Sequence, residues 1–218
     1  MKRILFILII GFAFMFNINA QDNDYTVNAN RSAATSYSHP SMIWNFDYSM
    51  AFSIGEFNDF ISDPSFRGFY MDGRGMINEK ISVGGGIGWN VYDEAYARST
   101  YEFPGGAITG QKWDYFFFMP LFVNTHYYFT HNGPIQPRVG LNMGGYYTEY
   151  EIQMGTFAVV DKMWKFGLTP EVEIYMPFGT SDWGINVRGK YNYLFYNDNN
   201  INGLQNFTLD VGFTFAPH

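Results

Sequence analysis

The chain has 218 residues, 21% of them aromatic, with 20 acidic and 13 basic side chains and no cysteine. The absence of cysteine excludes disulfides, thiolate metal sites and a lipid-modified N-terminal cysteine. The acidic balance argues against nucleic acid and against polybasic attachment to a membrane surface, and the length suits one barrel or one to two ordinary domains.

Residues 1–20 open with "MKR", run through "ILFILIIGFAFMF" and end in "NINA". A positive start, a short apolar run and a small residue before Gln21 spell a secretory signal, with cleavage expected after Ala20. The run is short for a spanning helix, which needs about 17–25 residues. Two of the 13 basic side chains, Lys2 and Arg3, leave with it, so the mature chain is more acidic still. Residues 21–40 are polar and unpatterned, as in a mobile periplasmic tail. Residues 41–218 are expected to form the folded domain.

From residue 42 the sequence alternates with period two, the mark of a strand with one apolar and one polar face. In "MIWNFDYSMAFSIG", Trp44, Phe46, Tyr48, Met50, Phe52 and Ile54 share one parity, and Asn45, Asp47, Ser49 and Ser53 the other. Segment two, residues 66–77, sets Phe69, Met71 and Ile77 against Tyr70, Asp72 and Arg74. Segment three, 81–92, sets Ile81, Val83, Ile87, Trp89 and Val91 against Ser82, Asn90 and three glycines. Segment four, 113–129, sets Tyr115, Phe117, Leu121, Val123, Tyr127 and Phe129 against Asp114, Asn124 and His126. Segment five, 135–147, sets Val139, Leu141 and Met143 against Arg138 and Asn142. Segment six, "WKFGLTPEVEIYMPF", opposes Trp164, Phe166, Leu168, Val172 and Ile174 to Lys165, Thr169, Glu171 and Glu173. Segment seven, 183–195, opposes Ile185, Val187, Tyr191 and Tyr193 to Asn186, Arg188 and Lys190. Segment eight, "NFTLDVGFTF", opposes Phe207, Leu209, Val211, Phe213 and Phe215 to Thr208, Asp210 and Thr214.

Connections alternate in length. Short ones fall at Asn78, His131 and Gly179, and long ones over residues 56–65, 93–112, 150–163 and 197–203. Short turns at one end and long loops at the other belong to an up-and-down outer-membrane barrel. The tryptophans agree. Trp44, Trp89, Trp113, Trp164 and Trp183 all lie on the apolar parity near strand ends, and with Tyr127, Phe129 and Tyr193 they make two membrane-interface girdles. The apolar face is therefore read as facing lipid. The polar face, carrying Asp47, Asp72, Arg74, Asp114, Arg138, Lys165, Glu171, Glu173, Arg188, Lys190 and Asp210, then fills the lumen as an ion-pair network. An eight-stranded barrel has room for side chains but not for a wide pore. Gly84, Gly86 and Gly88 make space there for neighbouring Arg and Tyr side chains. Pro120 and Pro170, inside segments four and six, call for bulges in a wall without edges.

The expected fold is thus all-β: an eight-stranded antiparallel up-and-down transmembrane β-barrel with short periplasmic turns and long extracellular loops. On segments such as "RGFYMDGRGMINEKISVGGGIGWNVY" and "MPLFVNTHYYF", together with the signal, residues 41–215 resemble the small porin-like outer-membrane proteins of Gram-negative bacteria, the OmpA/OmpX type. The resemblance implies a place in the outer membrane, and that a terminal aromatic, here Phe215 before "APH", is read by the assembly machinery.

Motifs for chemistry are weak. "GGAITGQK" departs from a phosphate loop because Gln111 stands where Lys is required. "VGGGIGW" has no helix after it, so it is not a dinucleotide fingerprint. His126 is the one strand histidine. As part of an acyl hydrolase it would need a hydroxyl and a carboxylate near the long loops, whereas it lies toward the short turns. His39 and His131 lie apart in a tail and a turn, giving no zinc cluster. Asp59, Asp63, Glu94 and Glu102 read as solvated loop acids or partners of bridging cations. No catalytic, cofactor or metal residue is assigned. The favoured function is a non-catalytic outer-membrane protein whose loops contact lipopolysaccharide, partner proteins or a host surface, through residues such as Tyr101, Phe103, Phe157 and Val159. The alternatives are a lipid-modifying acyl hydrolase or transferase, a narrow ion channel governed by Arg188 or Glu171, and a soluble carrier with its apolar face inward.

Overall fold

All eight alternating segments form strands in the computed structural model, which describes residues 40–103, 105–155, 157–198 and 201–217. The expected signal, and the expected tail up to residue 39, lie outside the described residues. In order the elements are β1 (Met42–Ile54), α1 (Glu56–Phe60), β2 (Arg67–Asn78), β3 (Ile81–Phe103), β4 (Gly106–Tyr128), β5 (Gln136–Met154), β6 (Phe157–Pro177), β7 (Trp183–Asp198) and β8 (Ile201–Phe215). Each strand pairs antiparallel with the next, and β1 pairs with β8, closing the sheet. Closure leaves no barrel edge with unpaired backbone groups, which is what a bilayer demands.

Stepping across paired residues from Trp44 gives Gly73, Gly85, Val123, Met143, Leu168, Tyr193, Gln205 and then Ile54. One circuit therefore returns to β1 near its opposite end. That stagger is the shear that tilts strands by roughly 35–45° in closed barrels. The apolar parity points outward: Phe46, Val83, Leu121, Val123, Val172, Ile174 and Phe213 are exposed, while Arg74, Arg188 and Asp210 are at most 1% exposed. Two glycines mark close approaches. A Cβ on Gly88 would meet the Tyr70 ring at 2.6 Å, and one on Gly73 would meet the Trp44 indole at 2.6 Å. Gly88 makes room in the lumen as expected, and Gly73 makes a seat for an outward tryptophan.

The wall is uneven in height. β2 leaves β3 at Arg67↔Val91, and β7 leaves β6 at Leu194↔Gly167. Strands β3 to β6 continue beyond these points as a four-stranded sheet, paired up to Phe103↔Gly106, Lys112↔Met154 and Met154↔Phe157. The segments 93–112 and 150–163, expected as loops, are therefore almost wholly strand. Tight turns join them, with Gly105 and Gly155 in the left-handed region at φ 105° and 61°. Above the barrel both faces of this sheet meet water, so the period-two contrast fades from the sequence there.

The prolines are accommodated by gaps and not by bulges. The β3–β4 ladder breaks between Ile87↔Leu121 and Asn90↔Phe118, at Pro120, and resumes in the same register. The β6–β7 ladder breaks likewise between Leu168↔Tyr193 and Glu171↔Lys190, at Pro170. On their other sides the prolines stay in register, opposite Tyr146 and Leu141. The register shifts lie elsewhere, at Met76/Asn78, Tyr96/Ser99 and Leu194/Asn197.

The lumen has two tiers. Toward the short turns it is ionic, closed at that end by a small buried cluster of Ile43, Tyr128 and Ala216. Toward the long hairpins it is an apolar cluster of Ala51, Phe57, Ile61, Tyr92, Phe116, Phe118, Tyr146, Leu194 and Leu204, all buried. Phe57 and Ile61 come from the β1–β2 connection, which folds into the mouth of the barrel. Gly55, at φ 60°, turns the chain inward, and α1 sets Phe57 against Phe116 and Tyr92 at ring distances of 4.9 and 5.4 Å. The Ser53 hydroxyl donates to the Ile61 carbonyl at 2.6 Å and holds the return. The expectation of a wholly ionic lumen is corrected here: its upper half is an aromatic plug.

Candidate functional site

The inward positions of seven strands converge on one charged cluster. Arg188 on β7 is its hub. Its guanidinium donates to Asp47 on β1 and, at 2.6 Å, to Asp72 on β2, with Glu171 on β6 at 3.7 Å. Arg74 joins Asp72 at 3.2 Å to Glu173 at 2.7 Å, and Arg138 reaches the other Glu173 oxygen at 3.0 Å. Lys190 pairs with Asp210 and lies over the Tyr70 ring. Asn45 donates to Asp72 at 3.2 Å and Asn142 to Glu171 at 2.6 Å. Planar guanidiniums suit this geometry, since one fork serves two carboxylates. Arg138 also stacks its cation over Tyr175 and Tyr128, 4.4 and 4.9 Å from the ring centres. All these charged groups are at most 4% exposed, so each needs its partners.

The sequence placed nine of these ionised groups in the lumen, and the structure brings them together. Asp114 stands apart. It is buried at the hairpin end and pairs with Lys112 at 2.5 Å. Lys165 is half-buried and lies opposite Tyr146, in the tier of the aromatic plug.

His126 completes the cluster by bonding Glu171 through Nε2. Ser82 lies directly opposite it in the ladder, but its hydroxyl is paired with the Tyr128 hydroxyl at 2.8 Å. Among the described residues His126, Glu171 and Glu173 also form one group whose ligand atoms lie within 4.8 Å. Both carboxylates already face guanidiniums, from Arg74, Arg138 and Arg188, so an added cation would meet three positive charges there. The arrangement is a buried network in which five carboxylates face three arginines, a lysine and His126.

On the outer surface the expected girdle residues occupy two zones. At the short-turn end Trp183 packs against Phe215 at 4.9 Å, Tyr127 against Phe129 at 5.3 Å, and Trp44 is paired with Phe215. Toward the other end Trp89 packs on Phe69, Trp164 on Tyr147 and Tyr193 on Phe195, at 5.0, 5.5 and 5.1 Å. Trp113 is different. It lies further up β4 than Met119, whose β5 partner Tyr147 is itself paired with Trp164, and its own neighbours are Ala95 and Gln153. Of the contact residues expected in the loops, Phe157 and Val159 are exposed and Tyr101 is half-buried. The side chain of Phe103 lies outside the described residues.

Fold and lumen together define an all-β, closed, eight-stranded barrel of the outer-membrane type, with the OmpA/OmpX-like architecture. Among solved structures the chain is similar to Neisserial surface protein A (NspA), at 14% identity and a TM-score of 0.53, over 82% of this chain and 99% of that one. It is also similar to the outer membrane protein OprG from Pseudomonas aeruginosa, at 12% identity and a TM-score of 0.50, over 83% and 98% of the two chains. No family model matches the sequence. No curated protein matches it either.

Proposed function

We propose that this is an integral outer-membrane protein, exported by residues 1–20, whose sealed barrel is a rigid, non-catalytic platform. Its protruding β3–β6 sheet contacts lipopolysaccharide, partner proteins or a host surface. The observation that carries this reading is the inversion of polarity: apolar side chains clothe the outside of a closed wall, and its buried interior is charged. A soluble carrier has the opposite arrangement. Strands of about 9–11 residues cross a bilayer, so the 23 residues of β3 and of β4 are enough to cross and stand well clear of it. The two aromatic zones then sit at the interfaces, with Trp113 above them.

The plug and the charge cluster fill the bore in series, which supports a non-conducting barrel. The burial of His126, bonded to Glu171 inside the charge cluster, supports a structural role over acyl chemistry. The test is outer-membrane fractionation followed by gel migration with and without boiling. A heat-modifiable band in that fraction is expected. A protein that stays in the soluble fraction, or migrates alike in both states, overturns the reading.

A further inference from the structure

The outward face of the protruding sheet carries a cleft of about 380 Å³ that the barrel itself does not need. Its floor is Trp113, 47% exposed, with Tyr115 next on the same face of β4. Ala95 lies opposite Trp113 on β3, so one flank of the indole has only a methyl group beside it. Asp93 and Glu151 lie opposite Tyr115 on β3 and β5, and Gln153 lies opposite Trp113 on β5. Both carboxylates are oriented: the Gln153 amide donates to Glu151 at 2.6 Å, and Arg67 donates to Asp93. We propose that this cleft binds an uncharged saccharide ring, stacked on Trp113 and held by its hydroxyls to Glu151 and Asp93.

The chemistry selects that ligand. A pyranose presents a face of C–H bonds to an exposed indole and a rim of hydroxyls to planar carboxylate, amide and guanidinium groups. Phosphate or sulfate would meet the Glu151 carboxylate, with the Arg67 guanidinium already taken by Asp93, and is disfavoured. A single bridging cation fits poorly, because β4 separates Asp93 from Glu151, two strand spacings of about 4.8 Å each, and Arg67 already neutralises Asp93. The site deepens the proposed surface-contact role. It rests on that reading only for the ligand's setting, just above the outer leaflet, where lipid-borne and foreign glycans both present neutral rings.

The test uses the full chain in phosphatidylcholine nanodiscs, with the Gln153 side-chain amide and the β4 backbone amides around residue 113, present in every variant, followed by NMR. The probe is a deacylated, dephosphorylated core oligosaccharide of lipopolysaccharide. A saturable shift at millimolar concentration is expected, about tenfold weaker in Trp113→Ala, weakened in Glu151→Gln and partly kept in Trp113→Phe. The same shift in discs carrying intact lipopolysaccharide assigns the ring to a neighbouring lipid; a shift with free oligosaccharide alone assigns it to an outside glycan. No shift with either, or equal binding by Trp113→Ala, overturns the proposal. Heat-modifiable migration of each variant shows that the barrel has formed, so loss of the saccharide site and loss of the outer-membrane reading are told apart.

Discussion

Arg188 and Asp72 meet at 2.6 Å although they stand on β7 and β2, which are not neighbours in the wall. The bond spans the bore and ties opposite sides of the cylinder. Removing the hub charge leaves Asp47, Asp72 and Glu171 facing one another without it. Arg188→Met is expected to cost about 3–5 kcal/mol. Urea unfolding in vesicles, read by the loss of the heat-modifiable band, checks this. Replacing Asp47 and Asp72 by Asn in the same chain is expected to recover part of the loss, because the uncompensated charges go with them.

The outward face gives an independent prediction. Val123 is 58% exposed and pairs with Gly85 and Met143 well inside β4. At mid-bilayer an arginine there is expected to destabilise the barrel by roughly 2–4 kcal/mol, whereas Val123→Leu leaves it unchanged. The same unfolding assay in vesicles measures both. Equal stability of the Arg variant would place that face away from hydrocarbon.

The plug should fail locally. Phe57 is fully buried among Tyr92 and Phe116 and is held by a short helix at the mouth. Phe57→Ala removes a buried ring at a cost of about 3–5 kcal/mol, more than one turn of helix can resist. Hydrogen exchange is expected to speed up over residues 55–66 while the β1–β8 seam keeps its protection.

A pH dependence follows at the same mouth, outside the bilayer. Partial burial works against charge on Glu94, but the Ser62 backbone N–H and hydroxyl bond its carboxylate at 2.7 and 2.9 Å and hold it below the usual glutamate range. A carboxyl lowered in the folded state stabilises fully above its unfolded pKa, and that contribution is lost as pH falls through the lower folded value. The link between the plug segment and β3 is therefore intact at neutral pH and weakens only in acid, below the ordinary value. The Ser62 amide resonance should titrate there, and the titration should vanish in Glu94→Gln.

Much of this was legible in the sequence, for identifiable reasons. Where one face is apolar and exposed and the other lines a charged bore, residues such as Val187 and Arg188 alternate with few interruptions, and strand and face follow. The plug was harder to see, yet it left a trace: "YFFFMPLF" is apolar on both parities, the signature of a strand covered on both sides. Phe116, Phe118 and Phe122 turn inward there. Its partner Phe57 lies in a connection with no periodicity, and only the fold brings the two together. The upper hairpins escaped detection because both of their faces are wet. The cleft at Trp113 escaped for a related reason: its groups come from the β2–β5 sheet face and are distant in the chain.

The seam between β1 and β8 bears on how such a chain is made. The first and last strands close the cylinder on each other, over pairs running from Trp44↔Phe215 to Ile54↔Gln205. Until the final strand exists, every shorter product exposes two raw edges and half-buried charge, a state prone to mispairing. Closure of the wall therefore waits on β8, whose pairing with β1 is the last contact the cylinder needs. That the first and last strands lie side by side is the geometric condition for that step.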